Sequence, residues 1–365
     1  MARERIHASQ SRLGFLDWTR GLGAVIMLQG HVVHSFMAKD LREGSAFVLS
    51  QFVGGMPPAF FLFLTGVTLG FLMDSLCKKE SSHWGRLVAT LMRARYLIVV
   101  AILFRVQLWV FAWGRSPLSD LLKVDVLNCM GFTMAALAWM VVFDTRQRVL
   151  YSLVVGMLLA CGSPLVANAD WTGVPEIVKN YLAPNPNFFS LFPWGAFLAF
   201  GIAAGSVIRL VPSEEYGAMM QWSVLIGFGL IVGGHYFSNL PYSFYEKSEY
   251  WIDSPGLVLI KTGVVMACGG VGFLASLYLQ GRWSWVSTLG QHSLPVYWIH
   301  IELVYGQWFG GWKEGLSVGQ TFAMAVAVTA AMVLVAEMKG RYDRGEVTGV
   351  RGALARIWLA GARAR

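Results

Sequence analysis

Arg20 and His31 lie eleven residues apart in an apolar stretch that runs from Phe15 to Met37. At about 3.6 residues per turn this is close to three helical turns, so both share one helix face, roughly 16 Å apart along the axis. A guanidinium is a planar fork suited to phosphate. A neutral imidazole shielded from bulk water can serve as a base toward an amine or hydroxyl, or as a nucleophile. Asp17, one turn before Arg20, can pair with it. A ligand with phosphates at a membrane surface and a long thin arm, the shape of an acyl-CoA, would span from Arg20 to His31. The competing reading is structural: Arg20 snorkels against Asp17, and His31 is a packing residue with its hydrogen bonds satisfied. Spacing alone leaves both readings open.

Other polar residues interrupt apolar runs, and at membrane depth each such group is costly enough to be a functional candidate. Arg93 and Arg95 form a second basic cluster, suited either to phosphates or to anchoring a span at the inner surface. Asp125 and Asn128 open a later apolar run, and Phe192-Pro193-Trp194 opens another. In the segment 289–302, Tyr297 and His300 share a helix face, as do Pro295 and Trp298, whereas His300 and Glu302 point apart. An aromatic cluster with a histidine could line an acyl or sugar pocket, or simply pack. Pro57 and Pro58 read as a helix break lining a cavity, or as a kink in a packing helix. Lys261 and His235 read as snorkelling side chains. His31-x-x-His34 has metal-ligand spacing but no carboxylate close by in sequence, so no metal is expected. No nucleotide-binding glycine loop and no Ser/His/Asp order stands out.

The elements that must carry these residues follow from composition. Of 365 residues, 56% are hydrophobic and only 14% charged, against about 25% in soluble domains. With a mean hydropathy of +0.54, this excludes an ordinary soluble enzyme and a nucleic-acid-binding chain, despite the net charge of +8. Ten apolar runs approach the roughly 20 residues that cross about 30 Å of hydrocarbon: 15–37, 52–74, 92–113, 126–143, 149–167, 188–208, 222–238, 257–279, 291–309 and 318–336. They are too long and too evenly apolar for barrel strands, so helices are expected. Basic residues concentrate in the N-terminal tail, the 75–95 loop and the C-terminal tail, which puts both termini in the cytoplasm. The first run contains Asp17 and Arg20 and has no small-residue cleavage site after it, so it reads as a retained span rather than a cleaved signal. The four cysteines, Cys77, Cys129, Cys161 and Cys268, form no CxxC pair.

The residues also carry a resemblance. Arg12-Leu13-x-x-Leu16-Asp17-x-x-Arg20-Gly21 followed by His31, then Pro58 to Gly66, Val126-Leu127-Asn128-x-x-Gly131, Phe192-Pro193-Trp194 and Leu289 to His300, in this order, are similar to the heparan-α-glucosaminide N-acetyltransferase catalytic domain family of transmembrane acyltransferases. The resemblance covers about residues 12 to 305. It implies transfer of an acetyl group from cytoplasmic acetyl-CoA to an amino sugar or glycan acceptor. It implies that His31 is the catalytic histidine, with Arg20 and Asp17 organising the donor and Arg93 and Arg95 near its phosphates. Asn128, Trp194, Tyr297, Trp298 and His300 are the expected acceptor-pocket residues.

The expected architecture is therefore an all-α integral membrane protein of about ten transmembrane helices, in a bacterial inner membrane. A basic tail (1–14) precedes the transmembrane domain (15–336). A second basic tail (337–365) follows, and Val350, Leu354, Ile357 and Trp358 within it have the spacing of an interfacial helix. Partners are acyl-CoA, the acceptor and the bilayer, with a homo-oligomer left open. The alternative is a non-catalytic transporter or export component for a glycan or lipid, since buried Arg and His with broken helices also suit a permeation path.

Overall fold

Among the described residues, five helix starts are written as side-chain caps. Asp144 with Gln147, and Ser317 with Gln320, form reciprocal capping boxes, while Ser82, Asp125 and Ser284 each accept a backbone N–H from the first turn that follows. A computed structural model describes the backbone of residues 2–80, 82–279 and 282–345, with side chains described from residue 14 onward. The described residues form thirteen α-helices and no strand. They are α1 (Ala2–Phe36), α2 (Ser45–Gly54), α3 (Pro57–Lys79), α4 (His83–Phe111), α5 (Val126–Ala136), α6 (Thr145–Ala167), α7 (Glu176–Leu182), α8 (Leu191–Leu210), α9 (Tyr216–Ser238), α10 (Pro255–Leu279), α11 (Trp285–Gln291), α12 (Ser293–Tyr305) and α13 (Val318–Arg344).

Among the described residues, seven segments are long and apolar enough to cross a membrane: Ser45–Lys79, His83–Phe111, Thr145–Ala167, Leu191–Leu210, Ser213–Ser238, Pro255–Leu279 and Val318–Arg344. They correspond to seven of the ten expected runs. The other three differ for separate reasons. α1 is long enough, but Asp17, Arg20, Gln29, His31 and His34 dilute its apolar character. The run 126–143 is not one continuous α-helix: α5 has 11 residues and passes at Leu137 into a short 3₁₀ helix, Ala138–Val142. At about 1.5 Å per residue, α5 covers roughly 17 Å. The run 291–309 is divided at His292 between α11 and the 13-residue α12. Pro57 and Pro58 prove to be the first two residues of α3, where a missing N–H costs nothing, rather than a kink within a helix. The basic tail's expected helix, 350–365, lies outside the described residues, while α13 continues past 336 to Arg344.

The helices fall into two compact units. The first comprises residues 1–19 and 55–281. Its core is a continuous cluster that includes Phe60, Leu62, Met73, Met140, Phe197, Leu198 and Ile202, all fully enclosed. At its centre α3 packs on α8 and α8 on α6, while α9 pairs with α10. The α3–α8 crossing is a backbone-to-backbone contact. A Cβ added at Gly66 would stand 2.1 Å from the Leu198 carbonyl oxygen, and one at Gly201 would stand 2.0 Å from that of Phe63. Where lipid removes the hydrophobic drive for helices to associate, such close approach of small residues supplies the packing. Polar residues gather at one end of these helices. Asp74 pairs with Lys78 at 2.9 Å and accepts a hydrogen bond from Thr145 at 2.9 Å, with Arg209 at 3.9 Å. Arg148 is fully buried and donates to the carbonyls of Met140 and Phe143 at 3.2 and 2.8 Å.

The second unit comprises residues 20–54 and 282–365. Here the second part of α1 packs with α2, α11 and α12, and α13 packs on α11 and α12. Outward faces in both units are strongly apolar. Ile102, Leu103 and Val106 of α4, Leu150 and Leu158 of α6, and Phe322, Val326 and Leu334 of α13 are all exposed. Patches of this kind suit a hydrocarbon surround.

The α3–α8 contact gives a direct test. Gly66→Ala and Gly201→Ala should each lower the thermal midpoint of the detergent-purified protein, at a cost of roughly 1–3 kcal/mol for overpacking. Gly229→Ala, where nothing lies within 4 Å of the added Cβ, should be neutral or slightly stabilising. Equal midpoints for all three would show that the crossing is not a close contact.

Candidate active site

The densest set of candidate residues lies within the second unit, where α1 meets α12. Placing His31 requires α1 and α2 to touch at backbone distance. A Cβ on Gly30, the residue before His31, would stand 2.9 Å from the Gly54 Cα. Side chains stitch this crossing. Gln29 exchanges hydrogen bonds with Ser50, and Gln51 donates to the Gly30 carbonyl at 3.1 Å.

On the other face of α1, His31 Nδ1 lies 2.9 Å from His300 Nε2. One turn further along both helices, the Ser35 hydroxyl donates to the Val304 carbonyl at 2.8 Å. His300 is fully buried and its Nδ1 lies 2.9 Å from the Val296 carbonyl. A carbonyl can only accept, so His300 Nδ1 carries a hydrogen and donates it to Val296. In the neutral ring this leaves His300 Nε2 as an acceptor. His31 Nδ1 is then the donor, and the lone pair of neutral His31 sits on Nε2. Nε2 has no hydrogen-bond partner among the described residues. The two rings lie within 13° of parallel, with centroids 5.2 Å apart. Tyr305 stands edge-on to His31 at 5.4 Å, and Tyr297 edge-on to His300 at 5.7 Å. The result is a half-buried imidazole whose tautomer and ring plane are fixed by a buried second histidine, the arrangement a general base or nucleophile requires.

The end of α1 is held by the loop before α13. The amides of Glu314 and Leu316 donate to the carbonyls of Ser35 and Phe36, and the Ala38 amide donates back to Leu316. Glu314 has φ of 55°, an uncommon conformation for a non-glycine residue. Its carboxylate meets Lys39 at 2.9 Å and Arg42 at 3.4 Å, while Arg42 also donates to the His34 carbonyl at 2.9 Å. The hydrogen bond from Lys39 holds the Glu314 carboxyl below its ordinary range.

The remaining expected site residues are distributed over both units. Arg20 and Asp17 are half-buried on α1, Arg20 in the second unit and Asp17 in the first. Trp298 is half-buried on α12. Arg93 and Arg95 are exposed on α4 of the first unit, with the Arg93 guanidinium 5.6 Å from the Tyr96 ring centre. Asn128 is buried at the start of α5, where its amide donates to Asp125 at 3.2 Å; Asp125 in turn pairs with Arg105 at 3.1 Å. Trp194 packs against Phe189 and Phe197, and the Lys261 ammonium lies 4.9 Å from its ring centre. Lys261 does not snorkel. It is buried, and its ammonium donates to the Gly55 carbonyl at 3.0 Å. Sequence reasoning also missed Arg148, because an arginine at a span edge reads as an anchor. No group of three or more His, Cys, Asp or Glu suited to a metal occurs among the described residues.

Compared with known proteins, residues 12–237 match the family described as heparan-alpha-glucosaminide N-acetyltransferase, catalytic. The matched range is more than half of the chain and contains Asp17, Arg20 and His31; α12 with His300 follows it. No curated protein matches the chain.

The loop that holds α1 carries a pH dependence. A carboxyl whose pKa is depressed on folding stabilises above its unfolded value, and that contribution is lost as pH falls through the folded value. After correction for intrinsic rates, hydrogen exchange at the Leu316 amide should therefore speed up on acidification below the ordinary glutamate range. Glu314→Gln should exchange faster at neutral pH and respond little to acid. An exchange rate that is flat in pH for the unaltered protein would show that the ion pairs do not hold the loop.

Proposed function

The chain belongs to the heparan-alpha-glucosaminide N-acetyltransferase catalytic family, and from this premise we propose that it is a membrane-embedded acetyltransferase using His31 as its base. The acetyl donor is acetyl-CoA from the cytoplasmic side and the acceptor an amino sugar or glycan. The observation that carries the reading is the fixed tautomer of His31, which directs a lone pair at Nε2 away from His300. In the reaction, Nε2 takes the proton of the acceptor amine or hydroxyl as that atom attacks the thioester carbonyl. The C–S bond breaks, the CoA sulfur leaves with the electron pair, and the proton on His31 returns to it. His300 keeps Nδ1–H engaged throughout, so the imidazole need not turn.

Arg20 with Asp17 organises the donor, and the exposed Arg93 and Arg95 are assigned to its phosphates. Asn128, Trp194, Tyr297 and Trp298 are the acceptor-side candidates. The apolar outward faces and the family support an integral membrane protein. We extend this to ten spans with both termini cytoplasmic, α1 crossing despite its polar residues and the 126–143 and 291–309 runs completing the count. The same reading sets the transmembrane domain at 15–336 between two basic tails, in a bacterial inner membrane.

Acetyl-CoA binding to the detergent-purified protein, followed by calorimetry, tests the reading. Saturable binding is expected, weakened about tenfold or more by Arg20→Ala. No binding to the folded protein would sink the proposal in favour of transport. Given binding, His31→Ala should keep donor affinity and lose turnover by about 10²–10⁴. His300→Ala should lower kcat roughly 10–100-fold with little change in KM, the size of loss seen for partners that orient an imidazole. His300→Gln, whose carbonyl can still accept from His31 Nδ1–H, should retain more activity than His300→Ala. Full turnover in His31→Ala would exclude it as the base.

A further inference from the structure

The first unit contains a cavity of about 460 Å³ that none of the residues assigned to the transfer reaction lines. We propose that it is a binding site for one acyl chain of a bilayer phospholipid, independent of the acetyltransferase reading. Leu153 and Met157 of α6, Trp222 and Ile226 of α9, Ala204 of α8 and Val265 of α10 define it.

The walls exclude a polar occupant. The polar side-chain groups of the lining are the Trp222 indole N–H, on the exposed side, and three hydroxyls, those of Thr19, Ser223 and Thr262. Each hydroxyl donates a hydrogen bond to a main-chain carbonyl: Thr19 to Phe15 at 2.8 Å, Thr262 to Val258 at 2.8 Å and Ser223 to Met266 at 3.4 Å. A sugar or a nucleotide, with many polar groups, would therefore lose its water and gain few partners in return. A hydrocarbon has no such cost. The volume lies within the roughly 300–1,000 Å³ of small-molecule sites. Met157, Met219, Met220 and Met266 give the lining soft, adaptable side chains that can follow a bent or straight chain.

The route of entry also points to the bilayer. On the α6 and α9 side the lining residues Leu153, Met157, Trp222 and Ile226 are all exposed. Both helices lie in segments long and apolar enough to span the membrane. The opening is thus at a surface whose surroundings are acyl chains, and a phospholipid tail can turn in from its own leaflet.

The test uses the full chain in nanodiscs whose phospholipid carries a diazirine on one acyl chain. The sample is exchanged into excess unlabelled phospholipid, irradiated, and mapped by mass spectrometry of peptides. Adducts on the segments bearing Met157 and Ile226 should survive exchange, whereas adducts on the outward face of α13 at Phe322 and Val326 should be lost. Ala204→Phe places a ring in the cavity and should reduce the surviving adducts to the α13 background. Ser223→Phe fills the space from another wall and serves if the first variant does not fold. Loss of the cavity adducts as fast as those on α13, or unchanged adducts in a folded filled variant, would overturn the site. An isoprenoid, with no phospholipid, in the organic extract of the purified protein would overturn the choice of occupant.

Discussion

A polar group inside an apolar bundle has no water to fall back on, so a buried donor or acceptor is costly unless it is answered from within the protein. That constraint explains the polar architecture of this chain. Arg148, with no solvent exposure, reaches two carbonyls near the end of the short 3₁₀ helix that follows α5. Asp74 sits among Lys78, Thr145 and Arg209. Lys261, which sequence alone would send to the membrane surface, stays inside by donating a hydrogen bond to the Gly55 carbonyl and resting on Trp194. The same constraint fixes the candidate catalytic group, because Val296 forces the tautomer of His300, and His300 forces that of His31.

The second requirement is close approach. Side chains on α1 can exchange short hydrogen bonds with α2 only because Gly30 and Gly54 bring the backbones together. The α3–α8 core contact rests on Gly66 and Gly201 in the same way. In a lipid surround these contacts stand in for the hydrophobic collapse of a soluble core, and they leave the large apolar side chains to face outward. The cavity in the first unit fits this view. Beside the α3–α8 contact, side chains of α6, α9 and α10 complete its walls, and its lining is almost wholly apolar.

What the sequence determined by itself follows from composition and local spacing. The low charge and long apolar runs specified a helical membrane protein, and seven of the runs are helices of spanning length. The motif running through Asp17, Arg20 and His31 carried the family, which the match over residues 12–237 supports. Tertiary structure decided the rest, for physical reasons that spacing does not encode. Hydropathy could not see that the run 126–143 breaks at Leu137, since both pieces are apolar. His31 and His300 are 269 residues apart, and nothing in either local pattern pairs them. Tyr297 and His300 were legible as neighbours because three residues on a helix share a face, but the direction of the hydrogen bond from His31 depended on a carbonyl one turn before His300. Local period determines which residues share a helix face; only packing determines which faces meet, and the chemistry of His31 lies in that meeting.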